Sequence, residues 1–123
     1  MKFLSLVRIT ESGQQPTERL MKEMGKLVEE MTRSGQLVST AGLTGTREGK
    51  LIRWNRGKVS MTDGPFTETK EVIGGYAILE APSMKEAAEL TNRFLAVHGD
   101  EWNVECELRP LAMEQVGAAH QKR

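Results

Sequence analysis

The hydrophobic positions at the start of the chain predict a strand followed by a helix. Residues 2–9 alternate as a strand does, with Phe3, Val7 and Ile9 on one face and Leu4 and Leu6 on the other. Because both faces are apolar, both should be covered in the folded protein. Residues 17–34 instead follow the helical period, and the apolar stripe consists of Leu20, Met21, Met24, Leu27, Val28 and Met31. Thr17 is the expected N-cap of this helix and Gly35 its expected C-terminal stop.

The middle of the chain is predicted to form shorter strands. These lie at residues 36–40, 50–54, 58–62 and 73–80. The second and third flank Asn55-Arg56-Gly57, which is a hairpin signal in which Gly57 can take a positive φ. At the start of the last one, Gly74-Gly75 is expected to allow a bulge or a close backbone approach.

The remaining pattern predicts a second helix and a final strand. Ser83 and Glu86 form a capping box at the start of a helix over residues 83–97. Its buried stripe is expected to consist of Met84, Ala87, Ala88, Thr91, Phe94 and Leu95. In residues 103–109, Val104, Cys106 and Leu108 alternate with Asn103, Glu105, Glu107 and Arg109. The final strand should therefore have one apolar face and one charged face.

The order of these elements predicts an α+β fold of the ferredoxin-like βαββαβ type with an inserted β-hairpin. Two helices can cover only one face of such a sheet. The other face is expected to be a ligand floor, a subunit interface, or both, in a dimer whose two sheets close over each other. We expect one domain at residues 1–112 and a polar, frayed tail at residues 113–123.

Charge and cysteine content narrow the class of protein. Lys plus Arg and Asp plus Glu both number 17, so the formal net charge is zero. Neither nucleic acid nor a membrane surface is therefore expected as the main partner, because phosphate binding needs an excess of positive charge. Cys106 is the single cysteine, which favours a reducing, cytoplasmic location. The apolar run near the N-terminus is short and is broken by Ser5 and Arg8, so we expect no signal peptide.

The segment from Asp63 to Glu71, DGPFTETKE, is the most unusual stretch of the chain. It places an acid, a glycine, a proline and an aromatic residue next to one another. Glycine and proline together fix a turn, and a rigid, charged loop with an anchoring aromatic is a common way to present functional groups. The sequence therefore predicts a functional site at this loop.

Residues 62–71, followed by Ile73-Gly74-Gly75-Tyr76, resemble the signature of the YCII-related (DGPF) family. Residues 107–111 resemble the closing strand of that family, and the resemblance extends from Lys2 to Leu111. It implies a ferredoxin-like domain that dimerises as an α+β barrel, with an acid residue, here Asp63, in a cleft between the sheet and the loops. Some relatives pair this acid with a histidine near the first helix. The only histidines here are His98 and His120, so this pairing is not expected.

Asp63 is the candidate catalytic residue, because burial beside Phe66 would raise its pKa and make it a general acid or base. The alternative is a carboxylate that caps the turn by accepting backbone N–H groups. Arg109 could bind an anionic group with its guanidinium fork, or form a cross-strand ion pair with a carboxylate. Ser5 would line the same floor if its strand is central, or be a buried, satisfied hydroxyl. The candidate ligand-binding residues are Ser5, Gly64, Pro65, Phe66, Glu68, Glu71, Tyr76, Glu107 and Arg109.

No pair of histidines or cysteines has the spacing of metal ligands, so we expect no metal and no cofactor. The first functional hypothesis is a protein that binds a small polar molecule in a cleft at the Asp63 loop. The second is a cofactor-free enzyme of isomerase or lyase type that uses Asp63 as general acid or base. The third is a regulatory or structural homodimer linked to transcription regulation.

Overall fold

Four antiparallel strands and two helices form the main body of the protein. The computed structural model describes residues 1–66 and 71–112. The elements are β1 (Lys2–Thr10), α1 (Glu18–Arg33), β2 (Leu37–Gly42), β3 (Lys50–Asn55), β4 (Lys58–Asp63), β5 (Glu71–Glu80), α2 (Met84–Val97) and β6 (Glu105–Pro110). Single turns of 3₁₀ helix lie at Thr46–Glu48 and Gly99–Glu101. The predicted order of elements is confirmed.

The main sheet has the strand order β2-β5-β1-β6, with every neighbouring pair antiparallel. Strands β3 and β4 form a separate two-stranded hairpin between β2 and β5. The protein is therefore α+β with antiparallel sheets, and its topology is consistent with a ferredoxin-like fold that carries an inserted hairpin. The predicted dimeric barrel stays a prediction.

Both helices begin at the predicted caps. The Thr17 hydroxyl accepts a hydrogen bond from the Leu20 N–H at 3.1 Å, and the Ser83 hydroxyl accepts one from the Glu86 N–H at 3.3 Å. Each bond satisfies a backbone donor that the first helical turn leaves without a partner. Gly35 follows α1 with a φ of 82°, a conformation that favours glycine.

The core lies between the helices and one face of the main sheet. Its buried members are Phe3, Leu27, Met31, Leu37, Ala77, Leu79, Ala81, Ala87 and Leu90. Three stripe predictions were wrong, because Met21, Met84 and Ala88 are exposed. Leu90 was not predicted but is buried, since it points at the sheet from the middle of α2.

The predicted irregularity at Gly74 is confirmed. Val7 pairs with Gly75 and Arg8 pairs with Ile73, so Gly74 is the extra residue of a bulge in β5. A Cβ atom on Gly75 would lie 2.9 Å from the Ala41 carbonyl oxygen, because β2 approaches β5 closely here. At this bulge, the Gly74 carbonyl oxygen accepts a hydrogen bond from the Leu43 N–H, in the loop that follows β2, at 2.8 Å.

The second face of the main sheet is not covered by the helices, and we call it the open face. It carries alternate residues of the strands, among them Leu4, Leu6, Tyr76, Ile78 and Glu107, which are only partly buried. Among the described residues, no helix is both long and apolar enough to cross a membrane. The tail predicted at residues 113–123 lies outside the described residues.

Candidate functional site

A cavity of about 520 Å³ lies between the β2–β3 loop, the segment after β4 and the start of β5. We call it the loop cavity. Its apolar wall consists of Leu43, Leu51, Phe66, Val72 and Ile73, and its charged lining consists of Arg8 and Glu71. An apolar cavity of this size with a few polar groups is typical of a site for a small organic molecule.

The β2–β3 loop is held in place by a carboxylate at the end of β1. Glu11 accepts hydrogen bonds from the Thr46 N–H at 2.7 Å and from the Thr46 hydroxyl at 2.6 Å. Both bonds involve a charged acceptor, which makes them stronger than bonds between neutral groups. Because Thr44, Gly45 and Thr46 line the loop cavity, Glu11 positions one side of it from outside.

The segment after β4 is packed tightly onto the same loop. The Gly64 N–H donates a hydrogen bond to the Gly49 carbonyl oxygen at 3.0 Å. A Cβ atom on Gly64 would overlap the Thr46 carbonyl oxygen, and one on Gly49 would lie 3.5 Å from the Phe66 ring. Gly64 therefore lets the two backbones approach, whereas a Cβ atom on Gly49 would make only an ordinary contact with Phe66 in the wall of the cavity.

Glu11 makes the loop sensitive to acid. The hydrogen bonds from the Thr46 hydroxyl and N–H lower the pKa of the Glu11 carboxyl below its ordinary value of 4.5. A group with a lowered pKa in the folded state stabilises that state above its unfolded pKa, and this contribution is lost as the pH falls through the folded pKa. We therefore expect Glu11→Gln to lower the free energy of unfolding at neutral pH.

The difference between wild type and Glu11→Gln should narrow as the pH falls below about 4.5, where the wild-type carboxyl takes up its proton. Urea unfolding of both proteins across this range measures it. A difference that does not change with pH would contradict the role of the Glu11 charge.

The charged end of the loop cavity is part of an ion-pair network on the open face. The Arg8 guanidinium donates to the Glu107 carboxylate at 2.6 Å, and Arg109 lies 3.8 Å from the other oxygen of Glu107. The hydrogen bond from Arg8 lowers the pKa of the Glu107 carboxyl, and the same bond raises the pKa of Arg8. The ion pair of Arg109 with Glu107 lies within β6 rather than across strands as predicted, and the cross-strand partner of Glu107 is Arg8.

Asp63 does not lie where the sequence predicted. Its side chain is 78% exposed and forms an ion pair with Lys50 across the hairpin. It is not among the residues that line the loop cavity. The predicted burial beside Phe66 is therefore wrong, whereas the role of Asp63 as a general acid or base stays a prediction.

The other candidate residues fall on both sides of the sheet. Phe66 and Glu71 line the loop cavity. Gly64 and Pro65 belong to the segment that carries Phe66, while Glu68 lies outside the described residues. Tyr76 is on the open face, where its hydroxyl is 3.0 Å from the Ser39 hydroxyl.

Ser5 does not share a floor with Arg109. It is buried on the face of the main sheet that packs against the helices, although β1 is an inner strand of that sheet. A smaller cavity of about 300 Å³ lies there, with Ser5, His98 and Cys106 in its lining. Burial raises the pKa of the Cys106 thiol, and a hydrogen bond with Ser5 partly offsets this. Cys106 therefore behaves as a core thiol rather than as an activated nucleophile.

The sequence reasoning missed Arg8, Glu11, Thr46 and Leu51. Arg8 could have been noticed in the sequence, because it is a charged residue that interrupts the apolar run of β1. Nothing in the sequence pointed to Glu11 and Thr46, because their contact joins two loops that are far apart in the chain. Among the described residues, no group of three or more metal-ligating side chains lies close enough together to hold a metal ion.

The fold and the loop cavity define a small α+β domain in which a Gly-Pro-Phe segment closes the site. The YCII-related domain family matches residues 1–102, and the chain belongs to this family. The chain is also 28% identical over 100 residues to an uncharacterized protein of Rhizobium meliloti (strain 1021). That alignment covers 81% of this chain and 79% of the relative.

Proposed function

We propose that the protein binds a small polar molecule without net charge in the loop cavity. The proposal rests on the charged lining of the loop cavity. One cation, Arg8, and one anion, Glu71, both line an otherwise largely apolar cavity of about 520 Å³. The ligand would place an acceptor group, such as a carboxylate, towards Arg8 and a donor group, such as an ammonium, towards Glu71. Its apolar part would pack against Phe66, Leu51 and Ile73.

The absence of net charge follows from the cost of desolvation. A ligand with a single charge would leave one of the two charged side chains without a new partner, and desolvating such a group opposes binding. A ligand with both charges gives each side chain a partner. Arg8 suits the acceptor end because its guanidinium keeps donors free after its bond to Glu107.

L-phenylalanine is a suitable probe because it combines both charges with an aromatic body, and benzoate and phenethylamine each carry one of the two charges. We expect L-phenylalanine to raise the melting temperature more than either of the other compounds at equal concentration, since a ligand that binds only the folded state stabilises it. If none of the three compounds shifts the melting temperature, the proposed ligand class is wrong.

Arg8→Gln should weaken the binding of L-phenylalanine by about 10-fold or more, because hydrogen bonds to charged groups contribute about 1.5–3 kcal/mol. Isothermal titration calorimetry measures this affinity. Arg109→Gln is the matched control, since Arg109 also lies next to Glu107 but does not line the loop cavity. Equal losses of affinity in both variants would contradict a direct role for Arg8.

The proposal includes a homodimer, as the resemblance implied. It is supported by the apolar side chains of the open face, notably Leu4, Leu6 and Ile78, which the helices of the same chain do not cover. A second copy of this face would remove them from water, and apolar burial is the main driving force of association. Sedimentation of the protein as a monomer at micromolar concentration would contradict the dimer.

A further inference from the structure

On the face of the main sheet that packs against the helices, the side chains become smaller from one row of residues to the next. The strand register places one residue of each strand in every row across the sheet. The core row is Leu37, Leu79, Phe3 and Pro110, the second row is Thr40, Ala77, Ser5 and Leu108, and the third row is Gly42, Gly75, Val7 and Cys106. The space between the sheet and the helices is therefore widest at the second and third rows.

This space is the cavity of about 300 Å³ described above, and we call it the helix-side cavity. Its floor contains the third row and most of the second row. Its roof consists of Met24 and Val28 of α1, Phe94 and Leu95 of α2, and His98 at the end of α2. These roof residues are only partly buried, which shows that the core is not filled here. The cavity reaches the edge strand β2, where Thr40 and Gly42 are exposed, so a small molecule can enter.

Charge distinguishes the helix-side cavity from the loop cavity. None of the described residues that line it is Asp, Glu, Lys or Arg. An ion in this cavity would lose its hydration without gaining an opposite charge, and burial of an unpaired charge opposes binding. The cavity therefore suits an uncharged molecule. A dry cavity of about 150 Å³ holds one benzene ring, so a cavity of about 300 Å³ accommodates two fused rings.

Two of the polar side chains in the lining already have hydrogen-bond partners. The Thr40 hydroxyl donates to the Tyr76 carbonyl oxygen at 2.8 Å. Ser5 is hydrogen-bonded to Cys106, a pair that lies on the floor. Groups that are paired within the protein gain little from a ligand, so they do not determine its chemistry.

His98 provides the polar group that a ligand can use. Its Nδ1 atom lies 3.0 Å from the Phe94 carbonyl oxygen and 3.3 Å from that of Leu95. Because carbonyl oxygens only accept, Nδ1 carries the proton of the neutral imidazole and Nε2 is the acceptor. Within residues 1–66 and 71–112, no group donates to Nε2.

We propose that the helix-side cavity is a second binding site, which takes a small, uncharged aromatic molecule with one hydrogen-bond donor. The donor bonds to Nε2 of His98, and the flat rings lie between Phe94 and the small residues of the floor. This site is independent of the proposed function, because its lining and the charge of its ligand differ from those of the loop cavity.

Indole and benzofuran are matched probes, since they have nearly the same shape but only indole carries an N–H donor. Cys106 is the single cysteine of the chain and lines the helix-side cavity. The rate at which methyl methanethiosulfonate modifies it, followed by mass spectrometry at mildly alkaline pH, therefore reports whether the cavity is occupied. We expect both compounds to slow the modification, and indole to do so at about 10-fold lower concentration, the effect of one hydrogen bond.

Two substitutions test the assigned residues. His98→Phe keeps an aromatic ring but removes Nε2. It should weaken the protection by indole about 10-fold and leave the protection by benzofuran unchanged, whereas a purely structural role of His98 would affect both compounds alike. Gly42→Leu should abolish the protection by both, because a Cβ atom on Gly42 has no atom within 4 Å and the side chain can occupy the cavity. Circular dichroism should show that both variants keep the fold.

Three results would overturn the proposal. One is wild-type Cys106 that is modified equally fast with and without saturating indole, and another is equal protection by indole and benzofuran. The third is protection that persists in Gly42→Leu, which would place the probe elsewhere. L-phenylalanine, the probe of the loop cavity, should not protect Cys106, and protection by it would contradict two separate sites. If L-phenylalanine does not bind at all, the proposed function fails while the protection by indole still decides this second site. If a variant does not fold, the comparison of indole with benzofuran on the wild type decides.

Discussion

Gly64→Ala is expected to abolish binding of L-phenylalanine and to lower the free energy of unfolding by about 1–3 kcal/mol, the usual cost of overpacking. The added Cβ atom would overlap the Thr46 carbonyl oxygen. Because that oxygen belongs to the backbone of the β2–β3 loop, it cannot rotate away as a side chain can. The loop and the segment after β4 must therefore separate, which breaks the Gly64–Gly49 hydrogen bond and moves Phe66 out of the cavity wall.

Two further glycines provide controls for Gly64→Ala in urea unfolding and calorimetry. A Cβ atom on Gly74 would lie 2.7 Å from the end of the Ile9 side chain, which can move aside, so Gly74→Ala should cost less. Gly25 lies in α1 with no atom near its Cβ position, and Gly25→Ala should raise stability by about 1 kcal/mol through helix propensity. A Gly64→Ala protein that is as stable as the wild type would show that the close packing of the loop is not required.

The helices and strands could be predicted because their signals are local. Thr17 and Ser83 cap their helices as predicted, and Gly57 has the positive φ that the hairpin turn requires. The bulge at Gly74 was also predicted, since a glycine inside a strand pattern often marks a bulge or a close backbone approach. Burial was predicted wrongly for residues at the edge of an apolar helix stripe. Met21 is an example, because its exposure depends on how α1 is rotated against the sheet.

The candidate site was predicted only in part. A hairpin has two faces, and the sequence does not indicate which face packs against the rest of the protein. Asp63 lies opposite Lys50 and shares a face of the hairpin with Ile52 and Met61, whereas Leu51 on the other face lines the loop cavity. One position along a strand reverses the direction of the side chain. Phe66 lies in the wall of the loop cavity because it belongs to a segment whose position the Gly64 contact determines.

The charged end of the cavity depends on contacts between residues that are distant in sequence. Arg8 and Glu107 are 99 positions apart, and Glu11 and Thr46 are 35 positions apart. Such pairs require the strand order and register to be known, and a single sequence does not contain that information. The structure thus separates two regions, a core on the helix side of the sheet and a cavity at the loops, which mutations should affect independently.

Phe3→Ala is expected to be the most destabilising of these substitutions, with a loss of about 3–5 kcal/mol in the free energy of unfolding. Phe3 has no exposed surface and packs in the core between the main sheet and the helices. Its register partners are Leu79 on β5 and Pro110 on β6, so truncation leaves a cavity at the centre of the sheet. Since domains of this kind have a total stability of about 5–15 kcal/mol, the loss should be visible as a large shift of the urea midpoint without a change in slope.

Leu4→Ala is the matched control, because Leu4 is the next residue of β1 and points to the open face. At concentrations where the protein is monomeric, Leu4→Ala should cost much less than Phe3→Ala, and at higher concentrations it should weaken association. Folded Phe3→Ala should still bind L-phenylalanine with the wild-type affinity, because Phe3 does not line the loop cavity. If Leu4→Ala destabilised the monomer as much as Phe3→Ala, the open face would be covered within a single chain, and the proposed homodimer would be wrong.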